Sequence, residues 1–394
     1  MAAHPIHYFA PLYAEYAKDP RISFRVAYCS MQGAEAVRDP GFGMDVAWDI
    51  PLLDGYQWIH PRNRSPVPGD GRFLGLMNPG LWREIVDGQF DVVVCHGYRA
   101  MSYWIAGAAA RRSRARVALF TDTVSLRGIR GTAWRIAGKR VVLPALYRMA
   151  DGFLAMSSAA IRFLRRLGVP ERKLFLTPYV VDSTRFALAA DAADGAAVRA
   201  GLGVPPEAPV ALFCGKLVPW KRPGDLIEAV RAVPGLHALV AGEGEERPRL
   251  EERAAALGLR DRVHFLGFVN RSRLPEVYAA ADLLVLPSSV EAFGLVVNEA
   301  FAAGIPAVVS DACGAVGDLV RQGETGLVTP TGDVAAFVDG VRRLAEDADD
   351  RRAMGLRARA RVEEWGPVQN VEAFVSACML LGRRPPPGRH EEWP

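Results

Sequence analysis

The chain has 394 residues, half of them hydrophobic, with a formal net charge of +4 and five cysteines. That length exceeds one ordinary core and predicts two domains of roughly 150–200 residues each, while so small a charge gives no sign of a nucleic-acid partner. Cys29, Cys95, Cys214, Cys313 and Cys378 lack paired spacing and sit in or beside apolar runs, which predicts reduced, buried thiols in a cytoplasmic protein with neither a signal peptide nor a spanning helix.

In chain order, SFRVAYC (23–29), DVVVCH (91–96), VALFTD (117–122), GFLAMS (152–157) and KLFLTPY (173–179) are short, β-rich and apolar on both faces. VALFCG (210–215), HALVAG (237–242), VHFLGF (263–268), DLLVLPS (282–288) and PAVVSD (306–311) repeat the scheme. Continuous apolar strands separated by helical stretches predict parallel sheets covered on both sides. The economical reading is an α/β fold of two Rossmann-like, doubly wound domains, residues 1–185 and 186–366. The join falls in 183–209, rich in Ala, Gly, Asp and Pro and without strand signals. A helix near 367–382 is expected to cross back to the first domain, and the tail to 394 to be loose.

Charge is unevenly spread: the first 185 residues are basic in balance and the rest acidic. RRSRAR (111–116) and the segment from Arg127 to Arg148, with Trp134 among its cations, hold much of the excess. Two readings stand: a solvated helix face, or a face toward an anionic membrane or acceptor.

In doubly wound sheets ligands bind beyond the carboxyl ends of the strands. After VALFCG, Lys216, Lys221 and Arg222 follow Gly215 and precede an amphipathic helix, a setting suited to pyrophosphate. Gly242, Glu243 and Gly244 fit a tight turn as well as a binding loop. Next, EAFGLVVNEAFAAG (291–304) carries Glu291 and Glu299 eight positions apart. Glu291 is expected in the loop before a helix beginning near Phe293 or Gly294, with Glu299 inside it. The free N–H groups around Leu295 and Val296 then lie between two acids, and Gly294 permits close backbone approach. A nucleotide sugar matches that layout, its hydroxyls on the acids and its phosphates on the amides.

Taken together, GKLVPWKRP, GEGEE, the run from Val263 through the E-x7-E element to Asp311, and GETGLV (323–328) resemble the donor-binding domain of glycosyltransferase family 4. The resemblance implies a GT-B fold, two Rossmann-like domains facing across a cleft, and a retaining, hexosyltransferase-type enzyme that is metal-independent and needs no cofactor. Its donor would be a UDP- or GDP-linked sugar and its acceptor a hydroxyl of a glycan, a lipid-linked intermediate or a specialised metabolite. Glu291 would contact the donor sugar near the reacting carbon and Glu299 the ribose. Lys216, where Arg is usual, and Lys221 would neutralise the departing pyrophosphate, with Gly215, Phe268 and the backbone of Phe293 to Val296 completing the nucleotide site. Base selection would rest on the loop Gly267 to Arg271.

The first half resembles the family less tightly. In PYVVDSTRF (178–186) Tyr179 and Val180 replace the usual Asn and Gly. His96 would reach the donor sugar or serve structure, and Asp122 would bind an acceptor hydroxyl or cap a turn. The chain opens MAAHPIHYFAP, with the family's first strand largely absent, so that His4 and His7 are cleft-lining candidates but no metal site. No D-x-D element stands at a strand end. Alternatives are a GT-B nucleotide-sugar epimerase and a NAD-dependent oxidoreductase, though the latter calls for a G-x-G-x-x-G that is missing. A cytoplasmic protein, with peripheral membrane contact through the basic half, is the expected setting.

Overall fold

The computed structural model describes residues 1–39, 41–69, 71–124, 147 and 149–382. Apart from Tyr147, the basic segment 127–148 lies outside the described residues, as does the tail 383–394. The first half holds β1 (Arg25–Ala27), β2 (Val37–Asp39), β3 (Met44–Val46), β4 (Gln57–Ile59), β5 (Val92–Cys95), β6 (Arg116–Thr121), β7 (Gly152–Ala155) and β8 (Leu174–Leu176). The second holds β9 (Val210–Cys214), β10 (His237–Ala241), β11 (Val263–Gly267), β12 (Leu283–Leu286), β13 (Ala307–Ser310) and β14 (Gly326–Thr329).

The second half forms one sheet in the order β11-β10-β9-β12-β13-β14, parallel throughout. This is the doubly wound order, with its crevice where the winding reverses between β9 and β12. Strands β10, β12 and β13 are buried along their whole length, so apolar residues fill both faces instead of alternating. Strand β14, part of a motif but not read as a strand, completes the sheet.

In the first half β1 pairs with β4, and β5-β6-β7-β8 form a second parallel group. Met1 and Ala2 join the two. Ala2 N donates to Ala27 O at 3.0 Å and Cys29 N to Ala2 O at 3.1 Å, while the Met1 ammonium donates to Val94 O at 2.6 Å and His96 N to Met1 O at 3.0 Å. The central strand is thus present as two residues, and with it the strand order mirrors that of the second sheet. Strands β2 and β3 make a separate antiparallel hairpin; their sequences, VRD and MDV, carry no apolar alternation that would predict it.

Residues 183–209, read as a join without strand signals, contain no strand but hold the helices Ser183–Asp191 and Gly195–Gly201. The aspartates there start helices instead of breaking them: Asp182 accepts from Arg185 N at 3.1 Å and Asp194 from Ala197 N at 2.9 Å. The helix Pro367–Gly382 packs against the helix Ala10–Lys18 and the ends of β5, β7 and β8. Phe374 stacks on Tyr16 with ring centroids 3.9 Å apart, and the Tyr16 hydroxyl donates to Asn370 Oδ1 at 2.5 Å. One buried cluster contains Phe9 and Phe120 from the first half with Phe293 and Trp365 from the second, so the two halves share a core beneath the cleft. No described helix is long and apolar enough to cross a membrane.

Candidate nucleotide-sugar site

The helix Leu295–Ala302 begins at the cleft because Gly294 stops the preceding loop in a left-handed conformation, φ 96°. A Cβ there would stand 2.9 Å from Leu286 Cδ2 and 3.2 Å from Cys313 Sγ, so both conformation and space call for glycine. No side chain caps this helix, and with Val297 N already donating to Gly294 O at 2.8 Å, the amides of Leu295 and Val296 are left for an anion. The loop before it is pinned from the far side, Gly314 N donating to Glu291 O at 3.1 Å and Ala315 N to Phe293 O at 3.0 Å.

Around that helix start lies a cavity of about 270 Å³. It collects the turn after β9 (Gly215, Lys216, Lys221), Phe268 after β11, and Glu291, Gly294, Leu295, Val296 and Glu299, together with His7 from the first half. The two acids hold different partners. Glu291 pairs with the Lys221 ammonium. Glu299 is 3% exposed; its carboxylate pairs with Arg271 and accepts the Tyr278 hydroxyl at 2.7 Å. Each of its oxygens keeps a further lone pair for a ligand hydroxyl. Lys216 Nζ donates to Asp39 at 2.7 and 2.9 Å. Burial, with a contribution from Glu299, pushes the Cys214 thiol in the wall up to about 12, so it is neutral there.

Some expected residues fall elsewhere. Arg222 is a correction to the three-cation cluster: it adopts φ 53° and turns back to Asp225, at 2.8 and 3.1 Å, outside the cavity. The Phe293 ring is buried in the core, so only its backbone faces the helix start. Of the GEGEE turn, Gly242 lines the cavity, and it packs too closely for a side chain, since a Cβ there would lie 1.8 Å from Gly215 O; Gly244 lies outside, against Leu217.

His96 and Asp122 line a neighbouring cavity of about 390 Å³ at the ends of β5 and β6, with Arg99 on its wall. His96 Nε2 lies 3.1 Å from the Tyr13 hydroxyl, and its ring packs on Phe9 and Phe120. Burial, then the Met1 ammonium, hold its pKa well below the usual range, so it is neutral near pH 7. Asp122 is solvent-exposed on that cavity, and desolvation by the surrounding protein, with a smaller part from Glu291, raises its pKa. His7 faces the first cavity beside Trp48, its pKa held well below the usual range by burial and by Arg271. His4 lines neither cavity. Among the described residues no group of three or more His, Cys, Asp or Glu is placed to hold a metal ion.

Spacing places Arg271 only at the end of the base-selection loop and not as the partner of Glu299; it reveals neither Phe42 and Trp48 on the cavity wall nor Tyr278 and Asp39, bonded to Glu299 and Lys216 respectively. Arg271 had one usable signal: an acid buried inside an apolar helix needs a counter-charge, and NRSR follows the end of β11 after two residues. The others arrive through tertiary folding, three of them from the opposite half.

The family model described as Glycosyl transferases group 1 matches residues 196–361, and that described as Glycosyltransferase Family 4 matches residues 34–185. A D-inositol 3-phosphate glycosyltransferase of Nocardia farcinica is 33% identical over 310 residues, covering 74% of this chain and 66% of that protein, so the match spans about two thirds of the relative's length. The protein of the same name from Nocardioides sp. is 30% identical over 367 residues, covering 80% and 75%. Among solved structures, Anabaena HepE in complex with UDP and glucose superposes with a TM-score of 0.72 at 21% identity, covering 94% of this chain and 95% of that one. With its two doubly wound sheets facing across a cleft, the chain belongs to glycosyltransferase family 4 and has the GT-B fold.

Proposed function

We propose that the protein transfers a hexose, with retention, from a uridine-diphosphate sugar to a hydroxyl acceptor without a divalent metal. The observation that carries this reading is the uncapped start of the helix Leu295–Ala302, flanked by Glu291 and Glu299 and faced by Lys216 and Lys221 in one cavity. Glu299 would hold the ribose, the helix amides and both lysines the diphosphate, and Glu291 the sugar. Preorganised positive charge then stabilises the phosphate as the C1–O bond breaks, a device worth most in a site shielded from water. On the same face the acceptor oxygen forms the new bond to C1, and its proton passes to the departing phosphate oxygen. The acceptor would approach through the cavity of His96 and Asp122, and Arg99 on its wall suits an anionic acceptor.

The relatives are named for an inositol phosphate acceptor and HepE is bound to UDP and glucose, which supports a uridine donor and a phosphorylated polyol acceptor here. Exposed Trp82 and Trp104, with exposed Arg111, Arg112 and Arg114 at the end of the helix Met101–Arg112, support peripheral contact with an anionic membrane. The first 185 residues would serve the acceptor and residues 186–366 the donor. Hydrolysis and transfer assays over a panel of nucleotide sugars, with EDTA and with inositol phosphates, test the reading. A response to NAD(H) with none to any nucleoside diphosphate would sink it.

A further inference from the structure

The cavity at the start of the helix Leu295–Ala302 has a roof supplied by the opposite half of the chain. Trp48 stands with its ring centroid 3.9 Å from His7 and 5.9 Å from Phe268, and Phe42 meets Phe268 at 5.1 Å. The base of this roof is tied down: Asn270 Nδ2 donates to Ala47 O at 2.9 Å and Ser272 N to Asp49 Oδ1 at 3.2 Å. At the tip of the β2–β3 hairpin, Asp39 accepts both hydrogen bonds from Lys216, whose ammonium also lies 4.8 Å from the Phe42 ring centroid.

We infer that Asp39 is a stand-in for the donor's diphosphate on Lys216 and thereby sets donor affinity. The inference rests on the reading of this cavity as a nucleoside-diphosphate site. Asp39 keeps partners when the lysine leaves, because Gly41 N and Phe42 N donate to its Oδ1 at 2.7 and 3.1 Å. The pair is also accessible enough to exchange: the side chains are 37% exposed for Lys216 and 22% for Asp39, a depth at which one ion pair is held weakly and a doubly charged phosphate competes. Gly41 lies against the flexible end of the lysine, where a Cβ would stand 2.6 Å from Lys216 Cδ. Donor binding therefore frees the tip while the base stays fixed to the loop that carries Arg271, the partner of Glu299.

Calorimetric titration of UDP and of GDP into the full chain, as wild type, Asp39→Asn, Lys216→Ala and the double variant, tests this. Asparagine retains an oxygen for the two amides and removes only the charge. Asp39→Asn is expected to tighten binding of the nucleotide that wild type binds roughly two- to fivefold. The gain should vanish in the Lys216→Ala background, and hydrogen exchange in residues 41–46 of wild type should rise on nucleotide addition. A melting temperature of unliganded Asp39→Asn lowered by no more than the lost ion pair accounts for, about 2–4 °C at most, shows that the gain is not a change of fold. Unchanged or weaker binding by Asp39→Asn, or the same gain without Lys216, overturns the inference. If wild type binds neither UDP nor GDP, the diphosphate-site reading itself fails, a result distinct from binding that ignores Asp39.

Discussion

The two sheets share a strand order but differ in how their sites are made. In the second half, β9 to β14 each run for four or five residues, and the cations, the glycine and the two acids all lie in the turn after a strand or in the helix that turn leads into. In the first half β1, β4 and β8 have three residues each and the central strand two. The cavity there draws on residues 96–103 and 119–123, with Tyr147, and its histidine is oriented by Tyr13 from another helix. Ligand groups set within one strand–turn–helix unit are fixed by local spacing; groups gathered from several units depend on packing that spacing does not encode.

The sharpest way to break this contrast is to remove a donor-side cation. Lys221→Ala should lower kcat/KM by about 10²–10³-fold, whereas Arg222→Ala, next in sequence but turned to Asp225, should change it by less than about threefold in the same steady-state assay. Equal losses would mean that position along the chain, not the cavity, decides the role. Second in size is Glu299→Ala. It leaves Arg271 buried without its counter-charge, which should cost about 3–5 kcal/mol of stability and erase the rise in melting temperature given by UDP. Gly294→Ala should follow, at about 1–3 kcal/mol from the left-handed backbone alone, with added crowding against Leu286 and Cys313.

How much was legible follows the same division. The strands of both halves and the E-x7-E layout could be read because apolar runs and short spacings survive in one dimension. The helices of 183–209 were hidden because Asp and Gly signal both loops and caps until the chain is seen to continue helically. Arg222 was grouped with Lys216 and Lys221 because adjacency in sequence says nothing of a residue that reverses direction. Asp39, Phe42 and Trp48 lie more than 160 residues before Lys216 and Phe268, their partners, and no local pattern links them.

A smaller effect tests the first half through pH. His7 and His96 are held below their ordinary pKa, so the unfolded chain takes up protons near pH 6.5 that the folded protein refuses. Stability from these two is present above pH 6.5 and lost as pH falls below it, by about 1.4 kcal/mol per pH unit for each. Denaturant melts between pH 7.5 and 5.5 should show this slope added to that of His237 and His264, whose pKa burial also lowers, and His96→Gln should remove one histidine's share of it. A slope unchanged by that substitution would place His96 in an open, hydrated setting. Smallest of all, Asp122→Asn should raise the acceptor KM by about tenfold or less and leave UDP affinity untouched.

The central claim is that a nucleoside diphosphate sits at the start of the helix Leu295–Ala302 under the lysines after β9. Titration of UDP in EDTA into wild type, Lys221→Ala and His96→Gln tests it most directly. Wild type is expected to bind, Lys221→Ala to bind at least tenfold more weakly, and His96→Gln to keep wild-type affinity. Equal affinity in wild type and Lys221→Ala would contradict it.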